Sequence, residues 1–135
     1  MNKTEIKAFK NELRNLKFYQ ERIEELKDEI NNIEYKLCGV GAVSAETIPG
    51  TTNPDVKSDN YWKLIDKKDK LISKKERYTV IVNDVLEVLQ DLRVDVREMC
   101  VDIYVNEESF RKIAKRHNIS CGALQTRIDA ELFNI

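Results

Sequence analysis

The stretch that decides the fold is SFRKIAKRHNISCGALQTRI, Ser109–Ile128. It predicts a short helix, a tight turn and a second helix. His117 ends the first helix, and Asn118 is a residue type that adopts the left-handed backbone conformation without being glycine. Ser120 is a good N-cap for the second helix, because its hydroxyl can accept from free N–H groups there. The stretch therefore has the layout of a helix-turn-helix.

Apolar residues of the same stretch fall where two crossing helices bury their inner faces. Ile113 and Ala114 lie midway along the first helix, and Ala114 is small where the second helix crosses close to its backbone. Leu124 and Ile128 recur at i and i+4, which places both on one face of the second helix. The opposite face then carries short or hydrogen-bonding residues, as a helix that enters a DNA groove does.

We expect the second helix, Ser120–Phe133, to enter the major groove of duplex DNA. Gln125 has the amide needed for a bidentate contact with adenine, and Thr126 can contact a base edge or a phosphate. Basic residues supply partners for phosphates. The predicted DNA-binding residues are Arg111, Lys112, Lys115, Arg116, Ser120, Cys121, Gly122, Gln125, Thr126 and Arg127. A plain helical corner that never contacts DNA is the alternative interpretation.

The sequence from Phe110 to Ile128 resembles region four of bacterial sigma factors. The positions that match its pattern are Ile113-Ala114, Ile119-Ser120, Leu124 and Arg127-Ile128. The departures are His117, Asn118 and Ala123, where the pattern has Leu, Gly and Thr. The last departure removes a hydroxyl that could contact phosphate.

The layout of the whole chain resembles the small phage transcriptional regulators of the RinA and ArpU type. These combine a long charged helix, a gap, a second long helix and a sigma-like C-terminal end. The resemblance implies a phage-encoded activator of phage genes, acting in the cytoplasm of the bacterial host cell, with RNA polymerase as a further partner. The alternative function is a structural DNA-packaging or coiled-coil assembly protein. A third candidate function is that of an interaction module whose terminal helices bind only protein.

Two further long helices are expected before the helix-turn-helix. Apolar residues recur at steps of three and four over residues 1–38, with one irregular step between Leu16 and Tyr19, which predicts one long coiled-coil helix. Residues 39–59 contain three of the four glycines and both prolines, and are predicted as a flexible linker.

A second long helix is predicted over residues 60–92, because apolar residues continue there at helical spacing. It could pair with the first as an antiparallel hairpin. Residues 93–135 are predicted as the helix-turn-helix domain, which begins with a helix over Val94–Tyr104. The expected fold is therefore all-α: a long antiparallel helical hairpin or coiled coil followed by a small helix-turn-helix domain.

The net charge and its distribution along the chain limit how the protein could bind nucleic acid. The net charge is −1 although 35% of the residues are charged, which argues against a non-specific nucleic-acid coat. Lys63–Arg77 contains seven basic and three acidic residues, so it could form a second track for phosphates, although a solvated helix face is the commoner explanation. A long helix cannot bury its apolar stripe alone, so we expect a homodimer or another helical partner.

Neither enzymatic chemistry nor a cofactor is expected. His117 is the only histidine, and its place at a helix end favours a structural role over that of a catalytic base. Cys100, His117 and Cys121 could form part of a zinc site, but no fourth ligand lies at a suitable spacing.

The cysteine pattern and the hydropathy point to the cytoplasm. The three cysteines are odd in number and form no C-x-x-C pair, which is typical of reduced thiols. No apolar segment is long enough to span a membrane, and the first residues lack the apolar core of a signal peptide.

Overall fold

The computed structural model describes the backbone of residues 1–46 and 54–135, and the side chains of residues 1–38 and 60–135. These parts of the chain are helical and contain no strand, which confirms the predicted all-α fold. In chain order the helices are α1 (Lys3–Arg14), α2 (Leu16–Glu46), α3 (Pro54–Asp91), α4 (Val94–Cys100), α5 (Phe110–Arg116) and α6 (Cys121–Phe133), with a π-helical turn (Val101–Val105) after α4. No helix in the described parts has both the length and the apolar character needed to cross a membrane.

The first helical segment is interrupted at Asn15, where the prediction had one helix over residues 1–38. The backbone there has φ −96° and ψ 1°. The Asn15 side-chain amide also donates to the carbonyl oxygen of Asn11 at 3.1 Å. Such a bond between an asparagine side chain and the backbone competes with regular helical geometry, which accounts for the break. It lies next to the irregular step in the apolar spacing.

The helices divide into two compact units. Unit 1 combines Met1–Gln20 with Val80–Ile135, and unit 2 comprises Glu21–Thr79. In unit 2, Lys68 of α3 lies 3.3 Å from Glu34 of α2, measured between the ammonium nitrogen and a carboxylate oxygen. The two residues are at similar distances along the chain from the segment that joins their helices, as in an antiparallel hairpin.

The helices of unit 2 extend into the segment predicted as a linker over residues 39–59. Helix α2 continues to Glu46, and α3 begins at Pro54 rather than at residue 60. Proline is favoured at the first position of a helix, which accounts for the earlier start. The remainder of the predicted linker, residues 47–53, lies outside the described residues.

Unit 1 is larger than the domain predicted over residues 93–135, because α1 belongs to it. Helix α1 packs on the π-helical turn and on α6. Its apolar side chains Ile6, Phe9 and Leu13 are buried. The first part of the stripe that predicted a coiled-coil helix therefore contributes to the core of unit 1. The end of α3, from Val80 onward, belongs to the same unit.

The corner between α3 and α4 is fixed by one side chain. The Arg97 guanidinium donates to the carbonyl oxygens of Leu89 at 2.7 Å, Gln90 at 3.0 Å and Leu92 at 3.2 Å. The last carbonyls of a helix lack partners within the helix, so this side chain satisfies the end of α3. Helix α4 continues directly into the π-helical turn, so the helix predicted over Val94–Tyr104 is confirmed, with its last residues in a π-helical turn.

Candidate nucleic-acid interface

Helices α5 and α6 form a helix-turn-helix with a turn of four residues. The Ser109 hydroxyl caps α5 by accepting from the Lys112 N–H at 3.2 Å. His117 is the C-cap of α5, and Asn118 has φ 59°, the left-handed conformation predicted for it. The Ser120 hydroxyl accepts from the Ala123 N–H at 3.1 Å. The Ser120 cap and the turn predicted from the sequence are thus confirmed.

The inner faces of the two helices are buried as their spacing predicted. Leu124, Ile128 and Leu132 of α6 all have 0% of their surface exposed. On α5, Ile113 is equally buried and Ala114 is 3% exposed. Three residues at i, i+4 and i+8 lie on one helix face. The opposite face of α6 is consequently free of the protein core.

The outer face of α6 carries small and polar groups near its start, but the prediction of short or hydrogen-bonding residues on this face is wrong at Phe133, which is 67% exposed near the end of the helix. Gln125 is exposed, and its amide has no hydrogen-bond partner within the described residues. Gly122 is open, since a Cβ built there would meet nothing within 4 Å. The Thr126 hydroxyl donates to the Gly122 carbonyl at 2.9 Å, which leaves its oxygen able to accept. Ser120 and Cys121 are exposed at the start of the helix.

The predicted phosphate contacts on α5 fall into two groups. Arg111 and Lys115 are exposed and form no ion pair within the described part of the chain. Lys112 lies 3.4 Å from a carboxylate oxygen of Glu108. Arg116 lies 3.1 Å from Asp102 and 3.6 Å from Glu108. A phosphate that contacts either of the last two must compete with a carboxylate of the same protein.

Arg127, on α6, is likewise paired with a carboxylate of the protein. Its guanidinium lies 3.7 Å from Asp95 of α4. Both side chains are solvent-accessible, and such exposed pairs contribute little to stability. Arg127 can therefore exchange this carboxylate for a phosphate at small cost.

A groove between α1 and α6 was not predicted from the sequence. Its volume is about 910 Å³, and Thr126 and Ala130 of the outer face of α6 are among its lining residues. On the other side it is lined by α1, where Lys10 donates a hydrogen bond to Asp129 at 2.5 Å. Burial is the largest single effect and lowers the pKa of the Lys10 ammonium group, but Asp129 and Tyr104 together outweigh it, so the pKa is raised.

The sequence also raised two further hypotheses, a second phosphate track over Lys63–Arg77 and a zinc site at Cys100, His117 and Cys121. Lys63–Arg77 is part of α3 in unit 2, where Lys70 pairs with Asp66 at 3.0 Å. Cys100 is buried and Cys121 is exposed, and burial raises the pKa of the Cys100 thiol to about 12. The described side chains include no cluster of three or more His, Cys, Asp or Glu residues that could hold a metal ion.

In comparisons with known proteins, no family model matches this chain, and no curated protein and no solved structure matches it. The resemblance to region four of sigma factors therefore rests on the residues of α5, the turn and α6.

Proposed function

We propose that this chain is a sequence-specific DNA-binding transcriptional regulator whose α6 enters the major groove. The observation that carries the proposal is the division of α6 into two faces. Leu124 and Ile128 are fully buried, whereas Gly122 and Thr126 are exposed on the opposite side of the helix and Gln125 is exposed at the edge of the buried face. A helix held from behind by such anchors can present its polar face to base edges.

Base contacts come from the exposed polar side chains of α6. The Gln125 amide offers a donor and an acceptor, which match the N7 and N6 groups of adenine in the major groove. The Thr126 oxygen can accept from a base edge, and its methyl group can contact thymine. Ser120, Cys121 and Gly122 lie at the start of the helix, where backbone N–H groups favour a nearby phosphate.

Phosphate contacts come first from Arg111 and Lys115, because these cations have no carboxylate partner within the described residues. Lys112, Arg116 and Arg127 contribute by exchanging their ion pairs. A net charge of −1 gives the whole chain little general attraction to DNA. Two copies binding two half-sites would raise affinity, so a homodimer fits the proposal.

Activation of phage genes and contact with RNA polymerase extend this proposal. They rest on the resemblance to regulators of the RinA and ArpU type. The site residues support the DNA-binding part of the proposal.

Selection of binding sites from a pool of random duplex DNA tests the proposal. We expect one sequence to be enriched, and to compete in a mobility-shift titration far better than a scrambled duplex of equal length. Affinity for both duplexes should fall steeply as salt rises, because phosphate contacts release counterions. Absence of any enriched sequence, at salt concentrations where the protein still binds, would contradict sequence-specific regulation.

An assembly protein is the second candidate, favoured by exposed aromatic side chains in unit 2. Tyr35 is 81% exposed and Trp62 is 61% exposed. Large exposed aromatics are typical of surfaces that bind another protein. Measurement of the mass in solution separates the candidates, since a regulator that binds two half-sites is expected as a dimer and a packaging subunit as a larger ring.

A further inference from the structure

Helix α1 carries a row of cations along the groove it forms with α6. Lys3, Lys7, Lys10 and Arg14 follow one another at i, i+4, i+7 and i+11, which places them on one face of the helix. All four line the groove. From Lys3 to Arg14 the row extends over about 16 Å at the rise of 1.5 Å per residue. We call these four residues the α1 row.

Most of the charge of the α1 row is not neutralised by the protein. Asp129 is the one carboxylate among the described residues that line the groove, and Lys10 already binds it. Lys3 and Lys7 are exposed and form no ion pair with any described residue. The Arg14 guanidinium donates to the amide oxygen of Asn11 and lies 5.3 Å from the ring centre of Tyr104, neither of which carries a carboxylate charge.

The groove also contains part of the proposed DNA-contacting face. Thr126 and Ala130 of α6 line it together with the α1 row. A duplex that contacts this face of α6 therefore runs close to α1. The phosphates that border a major groove lie beside the helix that enters it. The charge of the row is complementary to these phosphates, and its exposed lysines suit an extended polyanion.

We propose that the α1 row is a second set of phosphate contacts, which positions α6 on duplex DNA in addition to the cations of α5. This inference rests on the proposed DNA-binding function and names a part of the interface that the helix-turn-helix does not contain. Lys3, Lys7 and Arg14 contact the DNA backbone. Lys10 holds α6 through Asp129. The contacts are sequence-independent, because phosphates are the same at every base pair.

The test compares two double variants that each remove two exposed lysines. Lys3→Gln/Lys7→Gln removes charge from the α1 row, and Lys17→Gln/Lys36→Gln removes the same charge from exposed positions outside the groove. Circular dichroism and thermal melting confirm that both variants fold. Binding to a selected duplex and to a scrambled duplex is then measured over a range of salt concentrations with the full chain.

The inference predicts that the binding affinity of Lys3→Gln/Lys7→Gln depends less on salt than that of the wild-type protein. The affinity of Lys17→Gln/Lys36→Gln should keep the wild-type salt dependence. Each lost phosphate contact lowers the slope of log affinity against log salt by about 0.9, so two contacts lower it by about 1.8. Affinity should fall equally for both duplexes, while the preference between them is kept. A wild-type slope in Lys3→Gln/Lys7→Gln overturns the inference and leaves the proposed function in place. Failure of the wild-type protein to bind either duplex overturns both.

Discussion

The ammonium group of Lys10 on α1 donates a hydrogen bond to the Asp129 carboxylate on α6, across 119 residues of sequence. The same ammonium lies 5.7 Å from the ring centre of Tyr104 in the π-helical turn. One side chain thus joins the first helix of the chain to the helix proposed to contact DNA. Any change that loosens α1 should therefore also disturb α6.

The first prediction concerns the strength of this link. We expect Lys10→Met and Asp129→Asn each to lower the free energy of unfolding. The double variant should lose less than the sum of the single losses. The coupling should be about 0.5–1 kcal/mol, because the Asp129 side chain is half exposed and solvent screens the pair. Urea titrations of the four proteins measure it. Additive losses would show that the bond contributes nothing to stability.

The second prediction is a loss of stability in alkaline solution. Burial raises the pKa of the Cys100 thiol from its ordinary value of 9.0 to about 12. Between these pH values the unfolded chain releases the thiol proton and the folded chain keeps it, so stability falls as pH rises. This group accounts for at most about 1.4 kcal/mol per pH unit.

Cys100→Ala tests this assignment. Urea titrations from pH 8 upward should show a shallower decline in stability than for the wild-type protein. Cys38→Ala removes an exposed thiol and is the matched control, which should keep the wild-type decline. Parallel curves for Cys100→Ala and the wild-type protein would rule out the buried thiol as the cause.

The third prediction tests the packing of the helix-turn-helix. Ala114 is 3% exposed, so Ala114→Glu forces a larger and charged side chain into the core. We expect a loss of about 3 kcal/mol or more and unfolding of unit 1 at a lower temperature. Ala8→Glu, at an exposed position of α1, should change stability by less than about 0.5 kcal/mol. An unchanged melting curve for Ala114→Glu would be incompatible with this packing.

Features that depend on residues close in sequence were predictable, whereas features that depend on contacts between distant segments were not. Local rules predicted the Ser120 cap, the left-handed Asn118 and the buried pair Leu124 and Ile128. These depend on neighbours within about one helical turn, and the structure confirms them.

The packing partners of the helices were not predictable in the same way. The stripe of Ile6, Phe9 and Leu13 fits a coiled coil as well as a domain core, because spacing shows which face is buried and not what buries it. The pair of Lys10 with Asp129 and that of Arg116 with Asp102 likewise depend on long-range packing. The interruption at Asn15 had a weak local signal, since asparagine tolerates both a helix and its end.

The fourth prediction uses the exposed thiol at the start of α6. Cys121 and Cys38 are both exposed, whereas Cys100 is buried. We expect a maleimide reagent to label the first two in the folded protein and Cys100 only after unfolding. Saturation with a selected duplex should slow labelling of Cys121 several-fold and leave the rate at Cys38 unchanged. Equal rates at Cys121 with and without DNA would place the contact surface elsewhere.

The most direct test of the central claim is the base preference of Gln125→Ala. This side chain is exposed and makes no hydrogen bond within the described residues, so its removal should leave the fold intact. Binding to the selected duplex and to random DNA is compared in the same buffer. We predict a loss of about 1–3 kcal/mol on the selected duplex, relaxed preference at one base pair and unchanged binding to random DNA. An equal loss on both duplexes would contradict base contact by α6.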